Sequence, residues 1–292
     1  MYRSLADAVR DAEASGRTLA QVALQQEAED QGRTVEEIRA ALRRALEVMR
    51  GAVSQGMTGD MRSTSGLVGG DAAKLRTGPD GPLAGTLFRD VLARALAVQE
   101  VNAAMGVIVA APTAGGAGVL PAVLTGLAAA RGIGDEQLVD ALATAGLVGA
   151  VVADRASLSG AEGGCQAETG AAAGMAAGAS VEMLGGTPTQ AAHAVSLAMQ
   201  GTLGLVCDPL GGLVELPCVF RNATGAAIAL AAIEMALAGI TFIIPVDEVI
   251  DTMGEIGRSM DVRYRETAGG GLAATPTGRK LARERLVQIK RG

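Results

Sequence analysis

Three cysteines and one histidine carry the softest ligand and nucleophile chemistry in this 292-residue sequence. Cys165 lies in Glu162-Gly-Gly-Cys-Gln-Ala-Glu168, Cys207 in Gly204-Leu-Val-Cys-Asp-Pro-Leu210 and Cys218 in Val214-Glu-Leu-Pro-Cys-Val-Phe220. Each sits among glycine, proline or carboxylate residues rather than in a smooth apolar stripe. One reading is three buried thiols acting as small hydrophobes. The other is a metal site, because turns and helix ends aim backbone amides at sulfur and stabilise thiolate charge. Zinc on three thiolates stays open, although no Cys-x-x-Cys pair is present. Ferredoxin-type spacing is absent as well. Three thiols brought from three segments also suit an iron–sulfur cluster that leaves one iron without a protein thiolate.

The other reactive groups are fewer. His193 is the only histidine and falls within an Ala-rich helical turn. It reads either as a hydrogen-bonded structural residue or as a general base. Two loops rich in Gly and hydroxyl residues stand out, Thr58 to Asp71 and Ala111 to Gly118. Neither matches a phosphate-binding glycine motif. Both can offer amides and hydroxyls to a small carboxylate. Lys74 and Asp71, just after the first loop, are its nearest ionisable pair.

Helices must position these groups. Residues 4 to 57 read as amphipathic helices, with Thr34-Val-Glu-Glu37 as a capping box and Gln31-Gly32 ending the helix before it. Gly78-Pro-Asp-Gly-Pro82 signals a turn, followed by a helix from about Leu83 to Gly106. Further helices are expected over Val119–Ala130, Gly134–Ser157, Thr187–Gln200 and Pro217–Ala238, and from Pro245 onward. Glu162 to Gly164 reads as a loop. A helix is expected from Cys165 through Gly170, Gly174 and Gly178, whose spacing of four puts small residues on one crossing face. Tyr264 to Gly278 reads as a loop, and the basic tail from Arg279 as a helix. There is no βαβ alternation and no internal repeat. The expected fold is all-α: one large helical domain with buried Ala/Gly-rich central helices and Gly-rich active-site loops. Residues 1–57 are expected as peripheral helices packed on a catalytic domain spanning 58–292.

The composition narrows the function classes. With 49% hydrophobic residues, 2% aromatics and no Trp, the core must be closely packed helices with small side chains. The net charge of −6 argues against nucleic-acid binding. The basic residues Arg39, Arg43, Arg44 and Arg50, and those from Arg279 to Arg291, are expected as solvated faces. Val101–Ala130 and Met183–Cys207 carry no charge and exceed bilayer length. Gly and Pro interrupt both, and no aromatic belt marks an interface, so they read as buried helices rather than membrane spans. An odd cysteine count without an apolar leader at Met1-Tyr-Arg-Ser-Leu favours reduced thiols and a cytoplasmic location.

Four segments together resemble a known family. Ser65-Gly-Leu-Val-Gly-Gly-Asp-Ala-Ala-Lys74, Asn102 to Pro121, Glu162 to Glu168, and Cys207-Asp-Pro-Leu-Gly-Gly-Leu-Val-Glu-Leu-Pro-Cys218 resemble the alpha chain, or catalytic domain, of iron–sulfur-dependent L-serine dehydratase (L-serine ammonia-lyase). Arg221-Asn222 and Tyr264 to Gly278 fit the same pattern, so the resemblance spans about residues 56 to 278. It implies an all-helical domain with a [4Fe-4S] cluster on Cys165, Cys207 and Cys218, and no pyridoxal phosphate. It implies that the open iron acts as a Lewis acid on the serine hydroxyl while a base removes the Cα proton. Loss of water would give aminoacrylate, which tautomerises and hydrolyses to pyruvate and ammonia. Thr64, Ser65, Gly66, Asn102 and Thr113 are then candidates to hold L-serine, and Lys74 and His193 candidates for the base. Single-chain members add a domain with a Ser/His-containing loop, which has no counterpart here. A separate beta chain and a hetero-oligomer are therefore expected. Some members also end in a cysteine that reaches the open iron; Leu286-Val-Gln-Ile-Lys-Arg-Gly292 has none. The competing readings are a non-catalytic helical scaffold, a membrane protein, or a related iron–sulfur hydro-lyase acting on another small hydroxy acid.

Overall fold

A computed structural model describes residues 2–79 and 85–289, with side chains as far as residue 285. Asp80 to Ala84, the heart of the expected turn and the expected start at Leu83, lie outside the described residues, as does the tail from Lys290. The described chain is helical, with no strand; one isolated parallel bridge joins Cys207 and Arg265. The helices are α1 Leu5–Ser15, α2 Leu19–Gln31, α3 Val35–Gly56, α4 Asp71–Thr77, α5 Thr86–Ala103, α6 Val119–Arg131, α7 Asp135–Arg155, α8 Gly160–Gly163, α9 Ala171–Met183, α10 Pro188–Gln200, α11 Cys218–Leu237, α12 Val246–Ser259 and α13 Pro276–Ile289.

Local signals set most of these boundaries. Thr18, Thr34 and Thr187 cap α2, α3 and α10 in capping boxes with Gln21, Glu37 and Gln190. Gly32 ends α2 in the left-handed conformation at φ 61°. Of the segment expected as a loop at Glu162–Gly164, Glu162 and Gly163 belong to the short helical turn α8, whose closing amides bond back to Ser159 and Gly160, while Gly164 leaves the helix at φ 76°. Tyr264–Gly278 is not continuous loop either. The 3-10 turn Val262–Tyr264 leads into it, a second 3-10 turn spans Gly271–Ala274, and its last residues already belong to α13, which begins at Pro276. Cys165 leads into a π-helical turn, Gln166–Gly170, which runs on into α9. Such turns concentrate at functional sites.

The small-residue face of α9 packs as its spacing predicts. A Cβ on Gly170 would meet the Thr202 side chain, one on Gly174 would meet Met199, and one on Gly178 would meet Val195 Cγ2 at 2.8 Å. α9 and α10 therefore approach closely at the centre of the core, where Ala171, Ala172, Ala176, Ala179, Val195 and Ala198 are buried. Gly178→Val forces a branched side chain against another branched one. It is expected to cost about 1–3 kcal/mol as overpacking. Urea denaturation reads this directly, and an unchanged midpoint would contradict the crossing.

The N-terminal helices share this core: Leu5, Leu19, Val22, Leu46 and Met49 belong to the same buried cluster as α9 and α10. Carboxylates from the body also cap them. Asp247 accepts from the Ser4 hydroxyl and the Leu5 amide, and Glu182 from the Leu19 and Ala20 amides. The basic stripe of α3 is solvated at Arg44 and Arg50, as expected, but it also makes ion pairs across to another helix. Arg39 and Arg43 pair with Glu136, and Arg50 with Asp135, in the acidic first turn of α7. Hydrogen bonds from Arg43 and then Arg39 hold the Glu136 carboxyl down at about 2.

Neither uncharged run forms one helix of spanning length. The first breaks after Ala103 and resumes as the 13-residue α6; the second breaks after Met183 and resumes as the 13-residue α10. Two other helices, α7 and α11, are long and apolar enough to cross a membrane, but 67% and 50% of their apolar windows are buried inside the protein.

Candidate active site

Three segments deliver the cysteines. Cys165 stands at the start of the π-helical turn, Cys218 opens α11 after Pro217, and Cys207 lies in the extended stretch between α10 and α11. Cys207 is fixed by backbone pairing: its amide donates to the Tyr264 carbonyl at 2.8 Å, and its carbonyl accepts from the Glu266 amide at 2.8 Å. The Tyr264–Gly278 segment is therefore a wall of the site. Glu266 at φ 62° and Ala268 at φ 54° are non-glycine residues in the left-handed region within that wall. Strain of this kind collects at functional sites.

All three thiols are buried and free. Burial pushes each above its ordinary value. At Cys207 the Glu168 carboxylate and the other two sulfurs push further in the same direction, and at Cys218 so do Cys165 and Glu168. The three sulfurs are thus close enough to feel one another. Among the described residues, no three or more His, Cys, Asp or Glu side chains close around a single ion.

Charged and polar side chains surround the sulfurs. Glu168, one turn after Cys165, accepts a hydrogen bond from Thr113 Oγ1 at 2.7 Å and lies 3.8 Å from Cys207 Sγ. Burial raises its carboxyl, against the pull of the Thr113 hydrogen bond. Glycine is required where the backbone passes: a Cβ on Gly160 would sit 2.7 Å from Glu168 Oε2 and 3.0 Å from Cys207 Sγ. Thr169 Oγ1 lies 3.2 Å from Cys165 Sγ. Arg221, one turn into α11, approaches Asp208 Oδ1 to 2.7 Å, while its Nη1 donates to the Val206 carbonyl at 2.9 Å. Burial works against the Arg221 charge, but Cys165 and Asp208 outweigh it and hold the guanidinium firmly protonated. Asp208 Oδ2 accepts from the Leu272 amide at 2.6 Å. Gly271 makes that approach possible, because its φ of 57° and a Cβ only 2.1 Å from Asp208 Oδ2 exclude other residues. Among the described residues, one buried polar atom on the segment paired with Cys207 finds no partner, Arg265 Nε, whereas Asp208 Oδ1 has the Arg221 guanidinium.

The two Gly-rich loops fold onto the same region. Asn222, fully buried, donates to the Gly115 and Cys218 carbonyls and accepts from the Gly118 amide, tying the second loop to the Cys218 turn. Thr113 reaches Glu168, and Asn102 donates to the Ala114 carbonyl at 3.1 Å, so both predicted substrate residues border this loop. In the first loop the Ser65 hydroxyl and amide both bond Glu215, three residues before Cys218. Thr64 is exposed and anchored to the Ala103 carbonyl, and Gly66 is exposed at φ 73°. Buried Glu100 closes the loop by accepting from the Gly70, Asp71 and Ala72 amides. Glu215→Ala would leave the buried Ser65 amide and hydroxyl unpaired, at a cost of about 1–3 kcal/mol. Deuterium uptake of amides 63–70 is expected to rise; unchanged uptake would show that Glu215 does not hold the loop.

The two proposed bases stand apart from this group. Lys74 has a side chain 74% exposed and pairs with Asp71 at 2.7 Å. His193 Nδ1 accepts from the Phe242 amide at 3.3 Å, beyond the end of α11 remote from Cys218. Among the described residues no hydrogen bond or ion pair joins either to the cysteines. The anchoring roles of Glu100, Glu168, Glu215 and Asp208 are not announced by any motif. A signal for them exists: carboxylates within apolar or glycine-rich stretches need a partner once buried.

Comparison with known proteins agrees with this geometry. A family model described as serine dehydratase alpha chain matches residues 14–273. The chain is 49% identical over 288 residues to the probable L-serine dehydratase alpha chain of Bacillus subtilis, covering 97% of this chain and 95% of that one. It is 40% identical to the L-serine dehydratase alpha chain of Peptoniphilus asaccharolyticus, covering 90% and 91% respectively. It is 41% identical to the L-serine dehydratase of Streptomyces coelicolor over 86% of this chain but 56% of that protein. With a match of this length, and with the cysteine segments, both Gly-rich loops and the Tyr264–Gly278 wall meeting at one place, the chain belongs to the serine dehydratase alpha chain family.

Proposed function

We propose that this chain is the catalytic subunit of an iron–sulfur L-serine dehydratase, converting L-serine to pyruvate and ammonia. The observation that carries the reading is a set of three free, buried thiols from separate segments that bear on one another's charge, bordered by two loops rich in amides and hydroxyls. The donor set fits a [4Fe-4S] cluster on Cys165, Cys207 and Cys218. All three are buried, and Cys165 and Cys218 both bear on the charge of Cys207. When bound, such a cluster supplies an iron free of protein thiolate, a Lewis acid for a hydroxyl leaving group.

The remaining work falls to the chain itself. The raised thiols stay protonated at neutral pH unless a cation lies beside them, so binding iron displaces their protons. Arg221 stabilises the resulting charge from one side, held by Asp208. Glu168 and Thr113 form the boundary between the sulfurs and the second loop. Glu215 holds the Ser65 hydroxyl near the Cys218 turn, where it can orient a small amino acid carboxylate together with the loop amides.

The alpha-chain names of the first two relatives, and the longer Streptomyces protein, support a separate beta chain and a hetero-oligomer. Exposed Met105, Val107, Phe220 and Leu272, on the segments that border the site, suit a face covered by that partner. A cytoplasmic location accords with reduced thiols. The test is pyruvate release by the anaerobically prepared alpha–beta complex, with threonine and small hydroxy acids as competitors. Release from L-serine in preference to the others supports the reading. Turnover of a hydroxy acid with serine inert would assign another hydro-lyase.

A further inference from the structure

Away from the cysteines, a groove of about 560 Å³ opens between α3, α4, α5 and α6. That volume lies in the usual range for small-ligand sites. Three guanidinium groups line it: Arg50 from α3, Arg76 from α4 and Arg94 from α5. Arg50 is engaged with Asp135 at 2.6 and 2.9 Å, and Arg94 with Asp90 at 2.6 Å. Among the described residues Arg76 has no ion pair and the Ser54 hydroxyl no hydrogen-bond partner, and both are exposed to the groove. The lining thus keeps a positive excess on a chain whose net charge is −6. Arg50 and Arg94 are each offset by a carboxylate, so Arg76 carries the uncompensated charge, and an anion beside it can be shared with the other two guanidinium groups. Guanidinium forks match carboxylate and phosphate geometry. The floor is apolar, with Val53, Met57 and Leu138 buried beneath the polar rim, so the ligand has a carbon portion.

We propose that this groove binds a small organic dianion, a phosphate monoester or a dicarboxylate, as an effector distinct from the substrate. Its walls are continuous with the site loops. α3 ends at Gly56 and passes through Thr58 into the loop that carries Ser65, α4 begins where that loop closes on Glu100, and α6 begins where the second loop ends at Gly118. An anion drawing Arg50, Arg76 and Arg94 together acts on both ends of the first loop at once.

The test titrates the full chain at low ionic strength with glycerol 3-phosphate and with succinate, with glycerol as the neutral control. Saturable binding is expected for one or both anions: phosphate alone, carboxylate alone or both would define the class. Salt should weaken it, and glycerol should not bind. Arg76→Glu, an exposed change outside the cysteine site, should weaken binding about tenfold or more while preserving the circular dichroism spectrum. Bound anion should lower deuterium uptake in residues 50–58 and in the loop that follows. Absence of saturable binding, undiminished binding by Arg76→Glu, or protection confined to other segments would each overturn the assignment.

Discussion

Replacing Cys218 by serine is expected to remove bound iron and sulfide together with serine turnover, while leaving the helical fold in place. Cys218 is the first residue of α11, and its thiol is buried within reach of the charge of Cys165. Serine is nearly isosteric, so the packing around Pro217 and Val219 has no cause to change. A hydroxyl, however, is a far poorer ligand for iron than a thiolate. The same change at Cys165 or Cys207 should give the same result. The measurement is iron and acid-labile sulfide per chain after anaerobic reconstitution, beside the circular dichroism spectrum. A Cys218→Ser protein with full iron and sulfide would remove that residue from the ligand set. A protein that had lost its helical signal would show that the thiol is structural.

Arg221→Met should produce the largest loss of stability among single changes at the site. Asp208 has a side chain 2% exposed and Arg221 one 16% exposed, so the pair is buried. Removing one member of such a pair leaves an uncompensated charge, with a cost of about 3–5 kcal/mol. For a chain of this size that corresponds to a fall in Tm on the order of 10 °C. Cluster retention should fall as well, because Arg221 lies beside the Cys165 and Cys218 sulfurs. The double variant Asp208→Asn/Arg221→Met should regain part of the stability, since the amide oxygen can still accept from Leu272 without carrying a charge. A single variant as stable as the parent, or a double variant no better than the single, would mean that the ion pair is not what fixes the Cys207 turn.

The sequence was most informative where structure is set locally. Thr34 with Glu37, Gly32, and Thr187 before Pro188 mark helix ends with short-range hydrogen bonds, and all appear where expected. The spacing of Gly170, Gly174 and Gly178 likewise specified a close crossing, although the partner, α10, is a matter of tertiary packing. The cysteine segments and both Gly-rich loops were legible because unusual residues cluster in them. What was hidden depends on distant partners. Ser65 meets a carboxylate 150 positions away and Thr113 one 55 positions away. The ion pairs of the α3 basic stripe were hidden for the same reason, because nothing near it in the chain reveals the acidic start of α7. Glu162–Gly164 looked like a loop because glycines usually break helices, yet here they close one short turn before the cysteine. Lys74 and His193 were singled out by residue type alone; the fold sets Lys74 beside Asp71 and His193 against the Phe242 amide.

The most direct test of the central claim combines composition with turnover in one preparation. The alpha–beta complex, purified without oxygen, should contain about four irons and four sulfides per alpha chain, as a cluster of that class requires, and should release pyruvate from L-serine in proportion to that content. Exposure to air should remove iron and activity together. A preparation that turns over serine without iron or sulfide, or one that carries the full cluster and leaves serine untouched, would contradict the account.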